Sequence, residues 1–221
     1  MAKQKRTVYD REFSQVCDDI LRLGNLVDQA IEWSIQSLAQ RDRVLAQQVI
    51  VGDAAINELR FRVEEACLAL IATQQPTAGD LRAAVAAMNL AVEMERMADH
   101  AAGICKTVLR MGDEPLLKPL VNIPLMAQCA REMLGEVLKA FVEQDEARAR
   151  RAATRDQELD RLYKTIFTEL IQAMASDKNN VARGTYLMWC AHNLERIGDR
   201  VTNIAERVIF ITTGDMRELN F

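Results

Sequence analysis

The sequence predicts an all-α protein made of two tandem pseudo-symmetric three-helix bundles, six long helices in all. Three observations carry that expectation. Ala, Leu, Arg and Glu dominate a chain with 49% hydrophobic and 27% charged residues but only 5% aromatics, a mixture that favours long helices over β-structure. The four prolines fall in two places, Pro76 and the run Pro115, Pro119 and Pro124, so every other segment is free to continue as helix. The chain also matches itself between its two halves.

Taken in order, a first helix spans about 10–40, and Asp42 caps a second over 43–73. Gln74-Gln75-Pro76 ends that helix and Thr77 opens a third, running to 111. Gly112 and the proline run mark an irregular linker over 112–123. A fourth helix covers 125–144, Asp145 caps a fifth over 146–176, and a sixth covers 180–213. A thirty-residue helix is ~45 Å long, so the units are elongated. The expected division is a first three-helix repeat over 1–111, the linker 112–123, and a second repeat over 124–221.

The last helix has the cleanest pattern. Leu187, Leu194, Val201 and Val208 recur every seven residues, as do Cys190, Ile197, Ile204 and Ile211. Beside this seam lie Ala191, Gly198 and Ala205, small enough to let another helix approach closely. The seam is expected to be core.

The internal match has two offsets. Met88/Met188, Ala91/Ala191, Glu95/Glu195, Asp99/Asp199 and Ile104/Ile204 are 100 apart, whereas Asp42/Asp145, Ala46/Ala149, Asp53/Asp156 and Leu59/Leu162 are 103 apart. A three-residue difference in the loop before each third helix reconciles them, and loops are where such differences belong.

Equivalent helices carry acidic residues four apart: Glu95 with Asp99, Glu195 with Asp199, and Asp156 with Asp160, joined by Asp53 with Asn57. That spacing puts both side chains on one face, ~6 Å apart. Two like charges so close are unfavourable unless a cation relieves them, and all-oxygen ligands suit Mg²⁺, Ca²⁺, Mn²⁺ or iron. Glu195, Asp199 and Glu206 form a stripe about 120° from the apolar seam, with His192 and Asn203 further round. A single such pair is ordinarily a solvated surface feature, and Arg96 and Arg196 offer a rival means of neutralisation. Recurrence in both halves is what raises the metal reading above that.

Other features exclude function classes. A net charge of −4 and a pI of about 5.4 argue against a nucleic-acid partner. Five cysteines without a CxxC pair are expected to be small buried hydrophobes in a reducing compartment. Residues 1–13 have basic groups with no apolar run after them, and no stretch approaches the ~20 residues that span a bilayer, so a soluble cytoplasmic protein is expected. Arg148, Arg150, Arg151 and Arg155 are balanced by Glu143, Asp145 and Glu146. His100 and His192 are not in Glu-x-x-His pairs, which argues against a ferritin-like di-iron centre, and no nucleophile stands with a base.

The motifs Leu194-Glu195-Arg196-Ile197-Gly198-Asp199 with Asn203-Ile204-Ala205-Glu206, and Glu95-Arg96-Met97-Ala98-Asp99, resemble those of the PhoU family. So do Gln75-Pro76-Thr77-Ala78-Gly79-Asp80-Leu81-Arg82 and the segment from Asp53 to Asn57, and the likeness runs nearly the full length. The resemblance implies two three-helix bundles, often a homodimer, and a non-enzymatic repressor of the phosphate-starvation response. It implies action through a sensor histidine kinase and the ATPase subunit of the phosphate ABC transporter, peripheral to those membrane complexes. It also implies, in some members, divalent or iron metal clusters on the acidic motifs. Gly103 stands where the second repeat has Asn203, which puts the first repeat's metal in doubt. The rival expectations are a metal-dependent phosphate-ester hydrolase and a helical accessory protein of another phosphate transporter.

Overall fold

The computed structural model describes residues 2–215 and 218–219, with side chains from Val8 onward. Among the described residues every regular element is helical: α1 Ala2–Gln40, α2 Arg43–Gln74, α3 Gly79–Met111, α4 Asn122–Glu143, α5 Glu146–Thr154, α6 Asp156–Ser176 and α7 Val181–Thr213, with a short 3₁₀ turn at Lys178–Asn180. None of these helices is long and apolar enough to cross a membrane.

The two aspartate caps lie where their chemistry places them. Asp42 accepts from the amides of Val44 and Leu45, at 2.9 and 3.0 Å, and Asp145 accepts from that of Arg148 at 2.9 Å. Replacing Asp42 by Ala is expected to lower the melting temperature by about 2–4 °C, the cost of one cap of ~1 kcal/mol, in a thermal scan.

Three expected boundaries move. The helix expected over 146–176 is broken at Arg155, where α5 ends and α6 begins. Arg155 keeps helical dihedrals there, so the break is a local change of pitch rather than a turn. Pro124 falls inside α4 rather than before it; in the first turn its missing N–H has no intrahelical partner to lose. The third helix starts at Gly79, because Gln75 takes the left-handed conformation that ends α2 and Ala78, at φ 46° and ψ −112°, lies outside the helical region.

Helices α3 and α7 form the centre. The predicted α7 seam is buried along its whole length, from Leu187 to Ile211. Opposite it α3 buries Ala83, Ala87, Ala91, Ala98, Ala101 and Ala102, and these small side chains let the two backbones approach. The outer helix α2 buries a single stripe, Ala46, Val49, Ile56, Leu59, Val63, Cys67 and Leu70. In α6 the stripe narrows to Leu159, Ile166 and Leu170. Residues from both halves join in one core. The cysteines are free thiols, four of them buried and Cys17 half-buried.

Burial repeats with the sequence offsets. Met94/Leu194, Met97/Ile197, Ile104/Ile204 and Val108/Val208 are buried pairwise, as are Ile56/Leu159 and Val63/Ile166. The linker is held by Arg41, whose guanidinium donates to the carbonyls of Asp113 and Glu114, and by the Lys118–Glu169 ion pair.

Candidate functional site

Each half brings its two acidic motifs together across a pair of helices. In the second half Asp156 and Asp160 on α6 face Glu195 and Asp199 on α7. Gly198 makes this approach possible, since a Cβ there would lie 2.7 Å from Asp156 Oδ1 and 3.0 Å from a methyl of Leu159. Burial pushes the Asp156 carboxyl up to about 6, with the charges of Asp199, Asp160 and Glu195 adding to it. Burial likewise raises Glu195, with Asp199 next, against lowering by His192 and Arg196.

The first half repeats the arrangement with α2 and α3. Asp53 is raised by burial and then by Asp99, while Lys106 and a hydrogen bond from Asn57 pull it back. That bond runs from Asn57 Nδ2 to Asp53 Oδ2 at 3.1 Å. Glu95 is raised by burial and Asp99, and lowered by Arg60.

Each half also leaves one buried carboxylate oxygen without a hydrogen bond, Asp53 Oδ1 and Glu195 Oε2. Glu195 Oε2 has His192 Nδ1 3.4 Å away, close enough for attraction but outside hydrogen-bond geometry. Asp199 pairs with Arg196 at 2.6 Å, and Asp160 with Lys164 at 3.8 Å. Among the described residues no three His, Cys, Asp or Glu side chains converge as a ready-made metal shell. The stripe expected on the surface is instead half-sheltered, with Glu195 22% exposed and Asp199 35%. Neither is a core residue.

Asn203, grouped with the acidic residues by sequence, turns the other way. Its Nδ2 donates to Glu93 Oε2 on α3 at 3.0 Å, and Arg200 donates to the same oxygen at 3.3 Å. At the other end of the crossing, Asn193 Oδ1 lies 3.0 Å from His100 Nδ1, and a Cβ on Gly103 would meet that same oxygen at 2.9 Å. Residue 93 thus meets 200 and 203, while residue 193 meets 100 and 103. Exchanging the two members by the repeat offset maps one set onto the other, as an internal two-fold axis requires. Gly103 is therefore no missing ligand: its lack of a side chain admits Asn193.

Glu93 and Arg200 escaped the sequence reading, although a signal existed. Glu93/His100 and Asn193/Arg200 are each seven apart, a polar stripe that flanks the buried apolar seam of each helix. Beside this crossing lies an open polar cavity of about 590 Å³ whose lining includes Glu93, Asp156, Asp199, Arg200 and Glu206. The amide of Leu219 donates to Glu206 at 2.7 Å and brings the end of the described chain against it.

Three arginines of the basic cluster are paired: Arg148 with Glu143 at 2.9 Å, Arg150 with Glu146 at 2.8 Å, and Arg155 with Glu132 at 2.7 Å.

With this geometry in hand, comparison with known proteins is specific. The family model for the PhoU domain matches twice, at residues 20–108 and 123–208. A phosphate-specific transport system accessory protein PhoU homolog from Streptococcus pneumoniae is 32% identical over 215 residues, 97% of this chain and 100% of that protein. One from Caulobacter vibrioides is 36% identical over 208 residues, 94% of this chain and 90% of its own length. The crystal structure of the phosphate transport system regulatory protein PhoU from Streptococcus pneumoniae superposes with a TM-score of 0.89 at 30% identity, covering 96% of this chain and 100% of that one. That of PhoU from Pseudomonas aeruginosa gives 0.89 at 31% identity, covering 94% and 100%. Matched in both halves and spanned almost end to end by such relatives, this chain belongs to the PhoU family.

Proposed function

We propose that this protein is a non-enzymatic regulator of phosphate uptake and of the phosphate-starvation response. It docks on a sensor histidine kinase and on the ATPase subunit of a phosphate ABC transporter, working in the cytoplasm as a homodimer at the periphery of those membrane complexes. The observation that carries this reading is the near-complete, two-fold match to proteins described as accessory or regulatory in phosphate transport. The outer helices supply surface for such contacts, with Val44, Val51, Phe61 and Leu68 exposed on α2 and Phe167 and Ile171 on α6. The acidic faces are the places for a divalent or iron metal, held by Asp156, Asp160, Glu195 and Asp199 in the second half. The orphaned Glu195 oxygen fits that use. A bound cation would there neutralise charge and tie α6 to α7.

The test is deletion of the gene with a phosphate-starvation reporter in phosphate-rich medium. The reporter is expected to switch on, and a reporter that stays silent would sink the regulator reading.

One observation favours a second reading, metal-dependent hydrolysis of a phosphate ester. Asp156, with its raised carboxyl pKa, opens onto the 590 Å³ cavity, the setting of many acid–base groups. Mn²⁺-dependent turnover of p-nitrophenyl phosphate, lost in Asp156→Asn, would favour it over the adaptor.

A further inference from the structure

The outer helix α2 has two apolar faces. One is the buried stripe that includes Ile56, Leu59 and Val63; the other, about 180° away, looks outward. On the outward face Val44, Val51, Glu58 and Glu65 recur every seven residues, interleaved with Gln47, Ala54, Phe61 and Leu68. All are exposed, and the large apolar ones keep 69% (Val44), 66% (Val51), 52% (Phe61) and 56% (Leu68) of their surface. Single apolar residues on a surface are ordinary. A row at alternating steps of three and four has the spacing of a helix-pairing seam. The Arg60 guanidinium lies 3.8 Å over the Phe61 ring and holds it as a fixed knob.

The second half shows the solvated version of this face. At the offset of 103, Val44, Val51 and Phe61 become Ala147, Thr154 and Lys164, while Gln47 and Glu58 become Arg150 and Arg161. Only Leu68 keeps a large apolar counterpart, Ile171. The helix there is also interrupted at Arg155, whereas α2 runs unbroken for 32 residues. Two equivalent faces have diverged, one towards water and one towards cover.

The α2 seam reads alike from both ends. Laid antiparallel on a second copy so that facing residue numbers sum to 112, Val44 meets Leu68, Val51 meets Phe61, Gln47 meets Glu65 and Ala54 meets Glu58. Each contact then occurs twice, as a closed two-fold pairing demands. Charge fixes the direction. Arg43 opens the seam with no exposed acid before Ala55, whereas the far end carries Glu58 and Glu65. Arg62 at that end is already paired with Asp19 at 2.9 Å. Antiparallel pairing sets the basic end of each helix against the acidic end of the other, while parallel pairing sets glutamates against glutamates.

We propose that α2 is the self-association face of the protein: two copies pair through it, antiparallel and centred at the level of Ile56. The proposal rests on the homodimer part of the function above and names its surface; it does not depend on what the dimer regulates. The row is about 36 Å long on a helix about 10 Å wide, so the face is on the order of 400 Å² per copy, at the small end for specific interfaces. The dimer is therefore reversible and dissociates on dilution. The outer face of α6 stays free for other partners.

The test is sedimentation equilibrium of the full chain across a dilution series, with folding checked by circular dichroism. Wild type is expected to pass from dimer to monomer. Val51→Lys and Phe61→Glu each set a charge against an apolar partner at two places in the dimer, and each is expected to weaken association about tenfold or more. An equimolar mixture of these two variants is expected to recover it. The mixed pair keeps one Val51–Phe61 contact and turns the other into a lysine–glutamate pair. Ile171→Lys, on the outer face of α6, is expected to change association by less than about twofold. A wild-type chain that stays monomeric, single variants that dimerise like wild type, a mixture no tighter than its components, or loss of the dimer in Ile171→Lys would each overturn the proposal. A monomeric wild-type chain would end it and leave the deletion reporter to decide the regulatory reading.

Discussion

Replacing Glu93 by alanine is expected to lower the melting temperature by about 6–12 °C, a loss of roughly 2–4 kcal/mol for a chain of this size. Glu93 is 16% exposed and its partner Arg200 17%, so both are largely withdrawn from water at the α3–α7 crossing. The carboxylate serves Arg200 and Asn203 through one oxygen and has Arg96 4.0 Å from the other. Deleting it leaves a sheltered guanidinium, whose Nε already lacks a partner, without its counter-charge. That uncompensated charge, more than the lost bond, sets the size of the effect. Changing Arg200 to methionine in the same chain is therefore expected to recover most of the loss, so the two substitutions couple strongly in a double-mutant cycle. A Glu93→Ala protein melting within about 1 °C of wild type would show that the crossing is held by its apolar contacts alone.

Asp156→Asn is expected to act in the opposite direction and to stabilise. The folded protein holds the Asp156 proton up to about pH 6, whereas the unfolded chain releases it near the ordinary carboxylate value of about 3.9. Between those values the native state binds more protons than the unfolded one, so stability falls as the pH rises through the window. An amide carries no such penalty. The two proteins should melt together near pH 3.5 and diverge as the pH climbs to 7. After allowance for solvent screening, the variant is then expected to be ahead by roughly 1–2 kcal/mol, or about 2–8 °C. Part of the gain is offset because Asp156 opens α6, where a negative side chain favours the helix dipole. Melting curves of both proteins across pH 3.5–7.5 provide the check, and a constant gap with pH would refute the assignment.

The architecture was legible in the sequence to the extent that it follows from local chemistry. Caps at Asp42 and Asp145, the proline run and the seven-residue seam of α7 each dictate a segment without help from distant residues. The break at Arg155 was not legible, because Thr154-Arg155-Asp156 contains no glycine or proline and the change of pitch answers packing against other helices. The acidic motifs were found, and α2 with α3 and α6 with α7 bring them together as the repeat requires. Their direction was not fully predictable. Asn203 points at Glu93 and Gly103 admits Asn193 because of how α3 and α7 cross, a quantity that no local pattern encodes.

That crossing has a consequence for how the molecule can vary. In an assembly of two identical chains any substitution near the dyad appears twice, so both sides of the axis must match. Here the dyad lies within one polypeptide, and its two sides are free to differ: a glutamate–arginine clasp on one, an asparagine–histidine contact on the other. Covalent fusion thus frees each half to specialise without imposing the same change on its twin.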